Sequence, residues 1–213
     1  VRAGMQRATD LLLNLDLAAA QAECRRLLAL PQGEAAGRFC LALVALAEAE
    51  DAEDPTPELE RARALVEETI QAGQTLESAR PCDAELKLLL GLAHGSRAIL
   101  EGERHRYLEA VRALRLAHGG FQDALKLDPR LLDAYYGLGL YHYSLADLPA
   151  LLRPLVAALL PAGDAALGLQ QLTLVAERGS YLKMTARMAL FRIYAGQEAR
   201  YAEAYALGGD LLR

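Results

Sequence analysis

The sequence contains no tryptophan, few other aromatic residues and few β-branched residues. Because strands favour exactly those residue types, their scarcity excludes a sheet protein. No apolar run reaches the ~18 residues that a membrane-spanning helix requires, so we expect no transmembrane segment. Alanine and leucine dominate instead, and a hydrophobic share of 53% is typical of a folded globular chain.

The sequence also lacks an excess of positive charge, with 23 basic residues against 28 acidic ones. The net charge is -5, and only three of the basic residues are lysines. A surface that binds nucleic acid needs clustered cations for the phosphates, so we expect no nucleic-acid partner. The preference for arginine over lysine, together with the abundant alanine, indicates a bacterial gene of high GC content.

The three cysteines are Cys24, Cys40 and Cys82, and none of them belongs to a Cys-x-x-Cys motif. Each lies within or beside an apolar helical stretch, so buried free thiols are the favoured interpretation. Whether Cys24 and Cys40 form a disulfide is left undecided, because this depends on the distance and orientation of the two residues in the folded chain.

Helix signals divide the chain into about ten segments. Thr56 is predicted to cap one helix with Pro57 at its first position, Asp83 is predicted to cap the next, and Glu101-Gly102 is predicted to form the turn after that one. Short connections make consecutive helices antiparallel neighbours. The sequence therefore predicts a single all-α domain over residues 1–213, built from five stacked hairpins at about residues 2–30, 34–79, 83–127, 130–178 and 180–213.

Two half-motifs lie in register across Pro129: Ala117-x3-Phe121 before it, and Tyr135-x2-Leu138-Gly139-x2-His142 after it. The second half also occurs as Lys87-x2-Leu90-Gly91-x2-His94. These patterns resemble the tetratricopeptide repeat, which has a period of about 34 residues. The resemblance implies a right-handed α-α superhelix in which Gly91 and Gly139 lie where two helices approach closely. Between Gly91 and Ala117 the chain has about 14 more residues than the motif, so both helices of that hairpin should be longer.

A second pattern consists of Tyr135-Tyr136-Gly137-Leu138-Gly139-Leu140-Tyr141, followed by Leu148-Pro149, Gly163-Asp164 and Gly168-Leu169. With it, about residues 130–205 are similar to a divergent subgroup that includes the tetratricopeptide repeat protein 39 and inclusion-clearance families and their bacterial relatives. This similarity implies an adaptor without a defined ligand. Bacterial relatives often carry a signal peptide directly before a first helix of this kind. Helical sequence begins almost at Val1, which is not an initiator methionine. We therefore expect Val1 to follow a processing boundary and favour an exported, periplasmic protein over a cytoplasmic one.

The four histidines do not form a catalytic pattern. His94 and His142 occupy the motif position of a packing tyrosine, which indicates structural roles. His105 has Glu101 and Glu109 one turn away, but the His-Glu-x-x-His spacing of a zinc helix is absent and surface ion pairs are commoner. We expect no enzyme activity, no metal and no cofactor.

The resemblance implies instead a concave groove, lined by the first helix of each hairpin, that binds a peptide or a partner protein. The groove positions that carry over are Asp133, Tyr136, Leu140, Tyr143 and Ser144 in the fourth hairpin, Glu85, Leu88 and Leu92 in the third, and Arg192 in the fifth. Two roles stay open for Tyr136 and Tyr143: anchors for the partner, or packing residues against the inserted segment 148–161.

Self-assembly is the alternative function. Exposed ends of helical arrays tend to associate, so copies of the chain could stack through their terminal hairpins as a homo-oligomer. Segment 148–161 contains three prolines and cannot be one uninterrupted helix. We expect four of its leucines to dock on the array or in an oligomer interface, namely Leu151, Leu152, Leu155 and Leu159.

Overall fold

The computed structural model describes residues 1–146, 156 and 159–211. Within these ranges the chain contains ten α-helices and no strand, which confirms the all-α prediction. The chain divides into two compact units, unit 1 (Val1–Leu127) and unit 2 (Asp128–Arg213). Consecutive helices pack on one another within each unit, as expected when their connections are short. The single domain and the superhelix of five hairpins stay predictions.

Unit 1 contains six helices: α1 (Arg2–Leu13), α2 (Leu17–Leu28), α3 (Glu34–Glu50), α4 (Thr56–Ala79), α5 (Ala84–Glu103) and α6 (Tyr107–Leu127). The last two have 20 and 21 residues. Their length confirms that the additional residues between Gly91 and Ala117 extend both helices.

Aspartate side chains fix where several helices of unit 1 begin. Oδ1 of Asp83 accepts the backbone N–H of Leu86 at 3.0 Å, which confirms the predicted cap. The predicted Thr56 cap is wrong: Thr56 is the first residue of α4, and Oδ1 of Asp54 accepts its N–H at 3.0 Å. The carboxylate of Asp54 thus takes the role that the sequence pattern assigned to the hydroxyl of Thr56.

The predicted turn at Glu101-Gly102 is also wrong. Helix α5 continues through both residues to Glu103, and the chain reverses at residues 104–106, where His105 has a φ of 59°. Glu101 is buried, and Nη1 of Arg106 lies 3.0 Å from its carboxylate.

A disulfide lies in the core of unit 1. Cys24 in α2 and Cys40 in α3 are both buried and bonded to each other, with their Cα atoms 5.4 Å apart. They belong to a cluster that also contains Ala8, Ala20, Leu27 and Val44. The favoured interpretation of three buried free thiols is therefore wrong, because the turn between α2 and α3 brings two of them together. The third, Cys82, is free and exposed.

Glycine allows α5 and α6 to cross at close range. A Cβ atom on Gly120 would lie 3.1 Å from Cα of Gly91, and one on Gly91 would lie 2.7 Å from the Phe121 ring. No larger residue fits either position without a shift of its neighbours. The predicted close approach at Gly91 is confirmed.

Unit 2 contains four described helices: α7 (Ala134–Ala146), α8 (Ala165–Arg178), α9 (Lys183–Arg192) and α10 (Tyr201–Leu211). Helix α9 continues into a π-helical segment, Ile193–Gln197. A Cβ atom on Gly139 would lie 3.0 Å from the carbonyl oxygen of Gly168, so the close approach predicted at Gly139 is confirmed between α7 and α8.

Most of the apolar segment 148–161 lies outside the described residues, and with it the docking predicted for Leu151, Leu152 and Leu155. Leu159 is 42% exposed and is therefore not covered by its own chain, so docking in an oligomer interface stays a prediction for it, whereas the next residue, Leu160, is buried. Across the described part of the chain, no helix combines the length and the apolar character that crossing a bilayer requires.

Candidate partner-binding surface

The structure brings two of the predicted groove positions of unit 2 together. Tyr136 in α7 is half-buried, and Arg192 at the end of α9 is exposed. Burial raises the pKa of Tyr136 to about 12, while the positive charge of Arg192 acts in the opposite direction. The guanidinium of Arg192 is therefore close enough to the phenol of Tyr136 for the two to interact electrostatically.

Two further predicted positions continue this row along α7. Leu140 lies one turn after Tyr136 and is half-buried, and Ser144 lies one turn later and is exposed. We call Tyr136, Leu140, Ser144 and Arg192 the α7/α9 face. It combines a phenol ring, an aliphatic side chain, a hydroxyl and a guanidinium on two helices of unit 2 that both pack against α8.

Asp133 does not belong to this accessible face, which corrects its predicted role as a partner-binding residue. Its side chain is 1% exposed, and its carboxylate accepts the backbone N–H groups of Ser180, Tyr181 and Leu182 at 2.7–3.1 Å. These groups precede α9, which begins at Lys183. Asp133 thus satisfies the donors at the start of α9 and fixes that helix relative to the start of α7.

Tyr143 is also a packing residue, and its prediction as a partner anchor is corrected. It is 6% exposed, and its hydroxyl donates to Oε1 of Glu198 at 2.9 Å. Glu198 follows the π-helical segment, and nearby the guanidinium carbon of Arg200 lies 4.3 Å from the ring centre of Tyr194. These contacts hold the connection between α9 and α10 against α7. Nothing in the sequence around Tyr143 indicates Glu198, because 55 residues separate them.

The predicted groove positions of unit 1 likewise include both buried and accessible side chains. Leu88 is 1% exposed and lies in the core, which corrects its predicted contact with a partner. Leu92 is half-buried and packs against the cluster that contains Phe39. Glu85 is exposed and forms an ion pair of 3.3 Å with Arg2 of α1. Of these three positions, Glu85 alone presents a largely accessible side chain.

Two glutamates in unit 1, Glu23 and Glu101, are buried, which the sequence patterns did not indicate. Glu23 is held between Arg7 and Arg26, at 2.6 Å and 3.0 Å, and the hydrogen bonds from Arg7 lower the pKa of Glu23 although burial opposes them. Glu101 lies 3.0 Å from Arg106. Each carboxylate is enclosed by guanidinium groups, so both are structural residues.

Two of the histidines that could have indicated a metal or a catalytic base lie at hydrogen-bond distance from neighbouring side chains. Nδ1 of His105 lies 2.9 Å from the hydroxyl of Tyr107, and Nδ1 of His142 lies 2.8 Å from Oε1 of Gln171. Within residues 1–146, 156 and 159–211, no group of three or more histidine, cysteine, aspartate or glutamate side chains could hold a metal ion.

We expect the stability of the chain to fall when the pH falls below about 6.5, partly because of His94. His94 is 7% exposed, and burial lowers its pKa, with the charge of Arg97 adding to this effect and Glu77 opposing it. A lowered folded-state pKa means that the unfolded chain binds the proton first. The stabilisation is therefore present above about pH 6.5 and is lost as the pH falls through the lowered value.

Urea unfolding of the parent and of His94→Gln, each at about pH 7.5 and about pH 5, measures this contribution. The acid-induced loss in free energy of unfolding should be smaller in His94→Gln. The matched control is His105→Gln, because His105 is exposed. Equal acid-induced losses in the parent and in His94→Gln would show that His94 does not cause the pH dependence.

Comparison of the chain with protein-family models and with curated proteins found no match. The chemistry of the α7/α9 face follows from its own residues. A half-buried aromatic ring and a leucine can take up apolar groups, and an arginine can bind a carboxylate. This combination suits the non-covalent binding of another polypeptide.

Proposed function

We propose that this chain is a protein-interaction scaffold that binds a peptide segment on the α7/α9 face of a tetratricopeptide-like helical array. The observation that carries the proposal is that Tyr136 and Arg192, 56 positions apart in the chain, lie on two helices of unit 2 that both pack against α8, where the charge of Arg192 opposes the raised pKa of Tyr136. Tyrosine and arginine are the residue types that most often contribute large binding energies at protein interfaces. The proposed partner is a protein or peptide, with no part for a nucleic acid, a cofactor or a catalysed reaction.

The buried contacts beneath the face support this role. The carboxylate of Asp133 fixes the start of α9, and the bond from Tyr143 to Glu198 fixes the chain beyond its end. Arg192 lies between these two attachments, so the backbone that carries it is held at both sides. A surface that is ordered before binding loses less conformational entropy when the partner arrives.

The disulfide supports the proposal that the scaffold belongs to an exported bacterial protein. Disulfides persist in oxidising environments such as the bacterial periplasm and are rare in the reducing cytosol. The disulfide between Cys24 and Cys40 links α2 to α3 in unit 1. This agrees with the exported location that the resemblance implies.

A peptide library displayed on phage and selected on the immobilised chain tests the function. Selected peptides are synthesised, and their affinities for the parent, Tyr136→Ala and Arg192→Glu are measured by calorimetry. We expect peptides that combine an apolar residue with an acidic one, and each substitution should weaken their binding by about 10-fold or more.

The matched control is Arg115→Glu, which makes the same charge reversal at an exposed arginine of α6 in unit 1. Its effect on binding should be less than about 2-fold, as is usual for a charge outside the contact. Melting curves establish that each variant is folded. Selected peptides whose affinity is unchanged in Tyr136→Ala and in Arg192→Glu would refute the binding role of the α7/α9 face.

A further inference from the structure

Helices α1 and α2, which we call the α1–α2 hairpin, bury few large apolar side chains. The buried residues of α1 are Gly4 and Ala8, and Leu27 is the one large aliphatic side chain among the buried residues of α2. Three further apolar side chains of α1 are only partly buried where they pack against the disulfide cluster. Because hydrophobic stabilisation scales with the apolar area removed from water, little of it holds the hairpin in place.

The buried charge of the α1–α2 hairpin does not attach it to α3. The carboxylate of Glu23 in α2 is paired with Arg7 of α1 at 2.6 Å and with Arg26 of α2 at 3.0 Å. All three residues belong to the hairpin, so these ion pairs persist if the hairpin moves as a unit. The covalent bond from Cys24 to Cys40 is therefore the main link between the hairpin and α3.

The α1–α2 hairpin covers apolar side chains of α3 and α5. Met5 of α1 packs against a second cluster, which contains Phe39 of α3 and Ala93 of α5. Phe39 is 3% exposed. One turn before Met5, Arg2 forms its exposed ion pair with Glu85 of α5, which solvent weakens. Departure of the hairpin would return apolar surface around this second cluster to water.

We propose that the disulfide between Cys24 and Cys40 is a redox-sensitive switch that keeps the α1–α2 hairpin docked on α3. Its reduction lets the hairpin detach while α3 to α6 stay folded. Segments of a folded protein open separately when few buried apolar contacts hold them. In the oxidised chain this opening is blocked, because α2 cannot leave α3 while Cys24 is bonded to Cys40.

The switch needs an external dithiol as the reductant. One thiolate of the dithiol attacks a sulfur of the disulfide and releases the other cysteine, and the second thiolate then displaces the first cysteine. The products are two cysteine thiols, which take up the two protons of the dithiol, and the oxidised dithiol, which has lost two electrons. Both cysteines are at most 1% exposed, so the reductant reaches them only during a brief opening. Reducing compartments thus favour the detached hairpin, and oxidising ones favour the docked hairpin.

Hydrogen exchange followed by mass spectrometry, in native buffer with and without dithiothreitol, tests the proposal. The background is Cys82→Ser, because Cys82 is an exposed thiol that can form other disulfides. Reduction should speed exchange at the amides of α1 and α2 by about 100-fold, the factor expected when a cross-link of this loop length is lost. In the reduced chain, the amides of α5 and α6 should exchange at least about 10-fold more slowly than those of α1 and α2.

The matched control is Cys24→Ala/Cys40→Ala in the same background, which should exchange like the reduced background with or without dithiothreitol. Equal loss of protection in α1–α2 and in α5–α6 would overturn the proposal, because the disulfide would then stabilise unit 1 as a whole. Unchanged protection of α1 and α2 after complete reduction, verified by the mass of the alkylated chain, would also overturn it. Peptide binding at the α7/α9 face of unit 2 is measured separately, so either proposal can fail alone.

Discussion

Replacement of Asp133 by alanine is expected to lower the free energy of unfolding by about 3–5 kcal/mol. The carboxylate of Asp133 is almost completely buried and accepts three consecutive backbone N–H groups, from residues 180–182. Alanine leaves these donors without an acceptor at the start of α9. Removal of one member of a buried polar contact costs most when the remaining groups cannot reach water.

Urea unfolding measures the total loss, and hydrogen exchange at the amides of residues 180–182 shows whether it arises at the start of α9. The matched control is Asp16→Ala, which removes an exposed capping aspartate from α2 and should cost about 1 kcal/mol. A loss in Asp133→Ala no larger than in Asp16→Ala would contradict the role of Asp133 as the acceptor that orders α9.

The second large effect concerns the disulfide. The double variant Cys24→Ala/Cys40→Ala is expected to lose about 3 kcal/mol of stability, the value for a cross-link that closes a loop of about 15 residues. Without the bond, the unfolded chain gains freedom between α2 and α3. The two alanines are also smaller than the bonded cysteines, so they pack less completely against Leu27 and Val44.

A second comparison is the stability of each protein with and without a reducing agent. Reductant should destabilise the parent by a similar amount and should leave the double variant unchanged, as judged by urea unfolding. Cys82→Ala serves as the control and should change stability little, because Cys82 is exposed. Titration of the denatured parent should find one reactive thiol, and three reactive thiols would show that Cys24 and Cys40 are not bonded.

These two contacts also differ in how far the sequence could predict them. The cysteine spacing did not decide whether Cys24 and Cys40 are bonded, and the turn that decides it lies between these two residues, which have a sequence separation of 16. Asp133 was assigned to the partner surface because it occupies a groove position of the repeat pattern. The backbone N–H groups that donate to its carboxylate lie 47 to 49 residues further along the chain, where no local pattern could indicate them.

The sequence alone determined the features that depend on local patterns. The scarcity of strand-forming residues and the spacing of apolar residues predicted an all-α chain, and Asp83 marked where α5 begins. Gly91 and Gly139 marked two close helix approaches, because only a residue without a side chain lets two backbones come together. Such features depend on residue type at short spacing and are therefore visible in one sequence.

Which of the predicted groove residues are accessible to a partner was decided only by the tertiary structure. Tyr136 and Tyr143 lie on the same side of α7, yet the first is half-buried and the second is covered by the chain around Glu198. The exposure of Tyr205 likewise follows from where α10 packs and not from its sequence. Burial depends on what distant segments bring to each side chain, and the periodicity of a single helix does not contain that information.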